Sequence, residues 1–147
     1  MGATYELKKA PRTTLDKVVR EGFMPTEPFP WEMARQLAAE HKRIRQLFYG
    51  DFYPLTPYSS AAEDWMAYQC HREDLGQGAV IAFRRSQCVR EQARLKLWGL
   101  NARSRYEVRI EDTGKTLTTT GQKLADGLDL TITDQPGSQL ITYRQLR

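Results

Sequence analysis

The chain has 147 residues, of which 40% are hydrophobic and 27% are charged, and its formal net charge is +4. A chain of this length can bury one ordinary core but is too short for most two-domain enzymes, and its composition argues against disorder. The sequence has no apolar run of bilayer length and no signal-peptide pattern at its N-terminus. We therefore expect a cytoplasmic protein with one core and no membrane partner.

The positive charge does not mark a nucleic-acid site. Residues 1–50 contain nine Lys or Arg against six Asp or Glu, a net of +3, and residues 51–147 contain thirteen against twelve, a net of +1. The one dense basic run, from His41 to Arg45, is typical of the solvent face of a helix. We therefore expect no nucleic-acid partner.

Metal and thiol chemistry also find little support. The chain has two cysteines, Cys70 and Cys88, two histidines, His41 and His71, and no CxxC motif. These residues cannot supply the usual four-ligand zinc site. Neighbours on a strand point to opposite faces, so Cys70 and His71 cannot form a catalytic pair. The sequence predicts no metal and no cofactor.

The first 48 residues are predicted to form an arm followed by a helix. Residues 1–30 hold four prolines and only a weak helical pattern, which predicts an irregular arm with one short helix around Leu15, Val18 and Val19. Pro30 suits the first turn of the next helix, where its missing N–H costs nothing. Apolar residues recur at spacings of three and four over residues 31–48, which predicts an amphipathic helix.

A stretch rich in aromatic residues, Leu47 to Tyr58, follows the helix. Apolar residues recur at helical spacing before this stretch and alternate after it, so the helix gives way to a β domain here. Gly50 and two prolines fix the backbone path, and the aromatic rings can bury large apolar areas. The pattern predicts a packed hydrophobic joint with no chemistry of its own.

Residues 49–147 are predicted to form a β domain. Apolar runs recur about every ten residues and are separated by turn signals such as Asp112-Thr113-Gly114. The run from Ala79 to Phe83 is apolar on both faces, as expected of a central strand covered on both sides. The predicted strands lie within residues 63–71, 79–83, 93–97, 105–110, 117–120, 128–133 and 140–144. Short connections favour antiparallel pairing, so we predict a mainly β protein, an antiparallel β-sandwich of about seven or eight strands behind the helix.

Two acidic clusters, Glu63-Asp64 and Glu73-Asp74, are the candidates for a pair of glycosidase carboxylates. Such a pair must be separated by about 5 to 10 Å across a sugar-sized cleft. Both clusters lie beside predicted turns, where Asp is common, so we favour solvated turn acids. We nominate no catalytic residue, and the chain as it stands is not expected to be an enzyme.

Several segments, taken together and in order, resemble the end of a known family. They are Leu47–Thr56, Trp65–Gln69, Asp74–Gly78 continuing to Ala82–Arg85, Leu97–Leu100, Arg105–Val108, Asp112–Gly114, Gly121–Leu124 with Gly127–Leu128, and Tyr143–Arg144. Their succession resembles the C-terminal β-sandwich region of bacterial α-galactosidases of the melibiase type, glycoside hydrolase family thirty-six. The resemblance extends from about Trp31 to the C-terminus.

The resemblance implies a non-catalytic role. In that family a (β/α)₈ barrel carries two catalytic aspartates, and the nucleophile stands in a Lys-x-Asp motif. No lysine of this chain has an aspartate two places on, so no catalytic residue can be carried over. The resemblance implies a C-terminal sandwich, or a fragment, that braces a barrel absent from this chain. The helix over residues 31–48 is similar to the last barrel helix, and its apolar stripe would contact the barrel or a second copy.

The alternative function is a stand-alone carbohydrate-binding module. Sandwiches often present exposed aromatic rings that stack on sugars, and Trp65 and Trp98 are the candidates for such stacking. Tryptophan is highly buried on average, so core positions are the favoured interpretation for both. We therefore expect weak or no binding of free sugars.

Overall fold

The computed structural model describes residues 30–146. The chain divides into two compact units, residues 1–43 and residues 44–147. The predicted arm lies outside the described residues except for Pro30. Among the helices in the described part of the chain, none is both long and apolar enough to cross a membrane.

The predicted helix is confirmed as α1, Trp31–Ile44, and helical structure continues as a 3₁₀ turn over Arg45–Tyr49. Glu32 lies in the first turn of α1, and three basic residues lie in its last turn, His41, Lys42 and Arg43. These charges complement the helix dipole, which is positive at the N-terminus and negative at the C-terminus. The dense basic run thus has a local explanation at the end of a helix.

Residues 51–145 hold eight strands in two antiparallel sheets. The larger sheet has the order β1-β2-β3-β8-β5-β6, with bounds Asp51–Pro54, Trp65–Arg72, Gln77–Arg84, Gly137–Gln145, Arg105–Ile110 and Thr116–Thr120. The smaller sheet pairs β4, Gln92–Leu95, with β7, Leu128–Thr131. The predicted mainly β, antiparallel architecture, preceded in sequence by a helix, is confirmed.

The main core fills the space between the two sheets. Strand alternation brings Val80, Tyr106 and Ile141 of the larger sheet together with Leu95 and Leu130 of the smaller one. All five are buried, and burying a large apolar side chain contributes about 1.5 to 3 kcal/mol. This two-layer arrangement is what holds the small sheet against the large one.

A second core cluster lies on the opposite face of the large sheet. Ile44, at the end of α1, and Leu47, in the 3₁₀ turn, pack there with Ala79, Ile81 and Leu140. Strand β3 is therefore buried on both faces, as its continuous apolar run predicted. At these two positions the sandwich itself covers the apolar stripe that was expected to face a barrel or a second copy.

The aromatic stretch after the helix differs from its prediction. Residues 51–54 form the edge strand β1, and most of the rings around it are exposed, with Tyr58 98% accessible. Tyr49 and Phe52 are also exposed, although the Phe52 ring lies 5.3 Å from that of Tyr68. The prediction of a packed joint is wrong for these rings, because Tyr49 and Tyr58 lie outside the strand and β1, at four residues, is too short to hold the whole aromatic stretch against the sheet.

A short helix occupies the connection between the predicted strands 117–120 and 128–133. Helix α2, Gly121–Asp126, begins where the Thr120 side chain accepts a hydrogen bond from the Lys123 N–H at 3.3 Å. This is an N-cap of the kind that threonine forms. Its Leu124 is buried in the main core, so α2 contributes a side chain to the packing between the sheets.

Candidate functional site

The two tryptophans nominated for sugar stacking have different environments. Trp65, at the start of β2, is only 5% exposed, and its Nε1–H donates to the Arg90 carbonyl at 2.9 Å. A buried indole offers no ring face to a sugar, so Trp65 is a core residue and the stacking role is corrected for it. Trp98 is 56% exposed and lies in the loop after β4.

The main chain of Trp98 is clamped by one buried amide. The Gln69 side chain, which is fully buried, donates from Nε2 to the Trp98 carbonyl at 2.8 Å. Its Oε1 accepts from the Trp98 N–H, also at 2.8 Å. The amide thus pairs with both the N–H and the C=O of Trp98, as a residue of a neighbouring antiparallel strand would. The exposed indole is carried by a fixed backbone.

Two further side chains lock the amide in place. Gln69 Nε2 also donates to the Tyr143 hydroxyl at 2.7 Å, and that hydroxyl lies 2.9 Å from His71 Nδ1. The hydroxyl and Nδ1 share one hydrogen bond, whose direction depends on which tautomer the imidazole adopts. Burial raises the pKa of Tyr143 far above its usual range. The phenol therefore stays protonated and is not a reactive base.

Gly99 lets the Trp98 loop approach this network. Its φ of +73° is a conformation that side chains rarely adopt. A Cβ built there would lie 2.8 Å from His71 Cδ2, which is inside any normal contact. The loop, the buried amide and the imidazole therefore form one packed unit.

Burial lowers the pKa of His71 below its usual range, while the Gly99 backbone and the carboxylates of Glu73 and Asp51 oppose that shift. The unfolded chain takes up a proton on His71 that the folded chain resists, so we expect stability to decrease in weak acid. The contribution is complete above about pH 6.5, the usual pKa of the unfolded imidazole, and is lost as the pH falls from there towards the lower folded pKa, by at most about 1.4 kcal/mol per pH unit.

Urea unfolding at steps between about pH 7.5 and about pH 5 measures this dependence. His71→Phe removes the titrating group and should flatten the curve. His41→Phe, at an exposed position on α1, should leave the slope unchanged. Equal slopes in the wild type and His71→Phe would show that this imidazole does not control stability in that range.

Two polar side chains of β1 border the Trp98 loop. The register pairs Tyr53 with Gln69 and Asp51 with His71, so these side chains lie on the face of the sheet that holds the clamp. The Tyr53 hydroxyl lies 3.4 Å from the position of a Cβ at Gly99, and 3.4 Å from Asp51 Oδ2. An exposed indole, a phenol and a carboxylate thus lie at one edge of the large sheet.

The acidic clusters stand where turn acids are expected. The Asp64 carboxylate accepts from Ser59 Oγ at 2.7 Å, and Arg72 holds Asp74 with two contacts of 2.6 and 2.7 Å. The first cluster precedes β2 and the second follows it, so the eight-residue strand separates them by roughly 25 Å. A glycosidase pair needs about 5 to 10 Å. The two clusters therefore cannot together supply the two carboxylates of a glycosidase site.

The remaining reactive side chains are not gathered into a site. Cys70 and His71 face opposite sides of β2, as predicted, and both are buried. Burial raises the pKa of the Cys70 thiol, which makes it less reactive. Within residues 30–146, no group of three or more His, Cys, Asp or Glu side chains could hold a metal ion.

A shallow groove of about 550 Å³ runs between residues 55–59 and strand β4. Its polar lining includes Asp64, which contacts Ser59 and Arg90, and Arg94, which contacts Asp129 at 3.2 Å. These two charged groups are therefore already paired.

The sequence missed Gln69, Tyr53 and Asp51 as parts of the site. A signal for Gln69 was present, since it occupies an inward position of the alternating strand that carries Trp65 and Ala67. A polar residue in such a row must find buried partners. Tyr53 and Asp51 gave no comparable signal, because residues 51–54 were not predicted to be a strand.

Comparison with known proteins locates this fold. No family model and no curated protein matches the sequence. Among solved structures, the GH36 α-galactosidase AgaA from Geobacillus stearothermophilus superposes with a TM-score of 0.64 over 82% of this chain at 23% identity. The fold is that of part of a GH36 α-galactosidase. AgaB from the same organism gives a TM-score of 0.58 over 78% of the chain at 24% identity.

The match to GH36 α-galactosidases covers a small part of those enzymes. This chain spans 17% of AgaA and 16% of AgaB. It also spans 15% of the galactosidase domain of the α-galactosidase-sucrose kinase AgaSK, with a TM-score of 0.58 at 18% identity. The GH36 resemblance found in the sequence is thus matched by a likeness of fold over most of the chain.

Proposed function

We propose that residues 31–147 are the C-terminal sandwich region of an α-galactosidase-like glycoside hydrolase, and that they brace a catalytic (β/α)₈ barrel without supplying catalytic groups. The observation that carries the proposal is the fold likeness to AgaA, which extends over 82% of this chain and only 17% of AgaA. A segment of that size is a supporting part of such an enzyme, because the barrel alone takes about 250 residues.

The exposed aromatic side chains support a bracing role. Phe48, Tyr49 and Phe52 cluster in sequence where the 3₁₀ turn passes into β1, and all three are exposed. Neighbouring exposed rings are typical of a surface that another domain covers. The partner in this proposal is the barrel, and a second copy of the chain is the other partner that such a surface could accept.

The arrangement of acidic residues supports a role without catalysis. Asp74 is engaged by Arg72, Asp64 by Ser59, and the length of β2 separates the two clusters. A retaining glycosidase needs two carboxyl groups about 5 Å apart on either side of the sugar. A carboxylate of one cluster therefore cannot pair at that spacing with a carboxylate of the other.

We expect the purified chain to release no nitrophenol from p-nitrophenyl α-galactopyranoside above the buffer rate. The physical reason is that the two acidic clusters, at opposite ends of β2, lie too far apart to supply an acid and a nucleophile at catalytic spacing. AgaA serves as the positive control in the same assay. Turnover that survives repurification and is abolished in Asp64→Asn or Asp74→Asn would contradict the proposal.

A further inference from the structure

Trp98 has the properties of a ligand platform rather than of a core residue. Its indole is 56% exposed, yet its N–H and C=O are both paired with the buried Gln69 amide at 2.8 Å. Its neighbour Leu97 is buried in the core, which anchors the loop from the other side. The backbone that carries the ring is thus fixed before any ligand arrives, so binding need not order the loop, and that lowers the entropic cost of holding a ligand.

Polar groups that suit hydroxyls border the same loop. The Tyr53 hydroxyl lies beside Gly99 and 3.4 Å from Asp51 Oδ2. The hydroxyl can donate or accept, and the carboxylate can accept. Desolvation raises the pKa of Tyr53, as do the charges of Asp51 and Glu73, so the phenol stays protonated and the surroundings are negative.

We propose that Trp98, Tyr53 and Asp51 form a binding site for a neutral pyranose, in particular the galactosyl unit of an oligosaccharide. The indole would stack on the C–H face of the ring, and the phenol and carboxylate would bind ring hydroxyls. The site goes beyond the bracing role, because bracing requires contact with the barrel only, whereas this site would bind a sugar. It would bind the sugar without converting it.

The chemistry of the edge selects this class of ligand. Negative carboxylates near the loop disfavour phosphorylated or other anionic ligands. A pyranose has both an apolar face and outward hydroxyls, which matches a platform with one apolar and two polar elements. Galactose presents an extended C–H face because its axial hydroxyl leaves the neighbouring C–H groups on one side. One ring and two polar contacts give a weak site, with a Kd of about 1 to 10 mM.

The test follows the indole Nε1–H resonances of the three tryptophans by NMR while raffinose is added to about 50 mM. We expect a saturable shift of the Trp98 resonance and none for Trp65, which is buried. Trp98→Ala should abolish saturable binding. Trp31→Ala, at the other exposed tryptophan, is the matched control and should leave it intact. Asp51→Asn should weaken binding by about tenfold.

Three results would overturn the site. They are no Trp98 shift at the highest raffinose concentration, saturable binding that persists in Trp98→Ala, or a Trp98 shift with tetramethylammonium and none with raffinose. The last would identify a cation site made of the same groups. Trp98→Ala removes an exposed side chain and keeps the backbone pairing with Gln69, so the variant should remain folded. The outcome does not depend on the hydrolysis assay, so the two proposals can fail separately.

Discussion

Arg84→Met should lower the free energy of unfolding by about 3 to 5 kcal/mol. Arg84 ends β3 and is only 4% exposed. Its guanidinium donates to the carbonyls of Cys88 at 2.8 Å, Ile132 at 3.0 Å and Thr133 at 2.8 Å. Methionine fills a similar space but leaves these carbonyls without a donor, and an unpaired buried polar group costs about 1 to 3 kcal/mol.

Arg94→Met is the matched control for Arg84→Met. Arg94 is exposed, and its guanidinium contacts the exposed Asp129 carboxylate at 3.2 Å. Surface pairs of this kind contribute about 0 to 1 kcal/mol, so urea unfolding of this variant should differ little from the wild type. Similar losses in the two variants would mean that the buried guanidinium does not hold the segment around Cys88 to the segment of Ile132 and Thr133.

Leu47→Ala should lower the free energy of unfolding by about 2 to 5 kcal/mol. Leu47 is 4% exposed and packs with Ile44, Ile81 and Leu140 on the outer face of the large sheet. Its removal leaves a cavity between the 3₁₀ turn and β3. The size of the loss, measured by urea unfolding, reports how firmly the turn docks on the sheet.

The adjacent residue provides the control for Leu47→Ala. Phe48 belongs to the same 3₁₀ turn but is 41% exposed, so Phe48→Ala should cost well under half as much. Equal costs would show that the turn contributes through its own helical structure and not through contact with the sheet. Leu47 and Phe48 are neighbours in the same turn, so a difference between the two variants reflects the difference in burial and not a difference in position along the chain.

The elements with a strong period were predictable from sequence. The apolar residues of α1 recur at helical spacing, and β3 carries a continuous apolar run that fits a strand covered on both faces. In both cases the pattern reflects what the element packs against. The resemblance to the sandwich region of melibiase-type enzymes rests on sequence segments and not on periodicity, and it predicted the same architecture.

Features set by long-range contacts were not predictable. The alternation in β4 and β7 looks like that of any half-buried strand, so it gave no sign that these two form a separate sheet. The rings of β1 were expected to be buried because aromatic residues usually are, but an edge position overrides that average. The pairing of Gln69 with Trp98 spans 29 residues of sequence, which no local pattern encodes.

Strand order has a consequence for how the chain acquires its structure. Strand β8, the last in sequence, lies between β3 and β5 in the middle of the large sheet. During synthesis, β1–β3 and β5–β6 can form only as two separate ribbons, each with an open edge, until residues 137–145 have emerged. Pairings between residues far apart in sequence are slow to form, and open edges invite association with other chains. Residues 137–145 are therefore the segment that unites the sheet, and a nascent chain that still lacks them presents open strand edges.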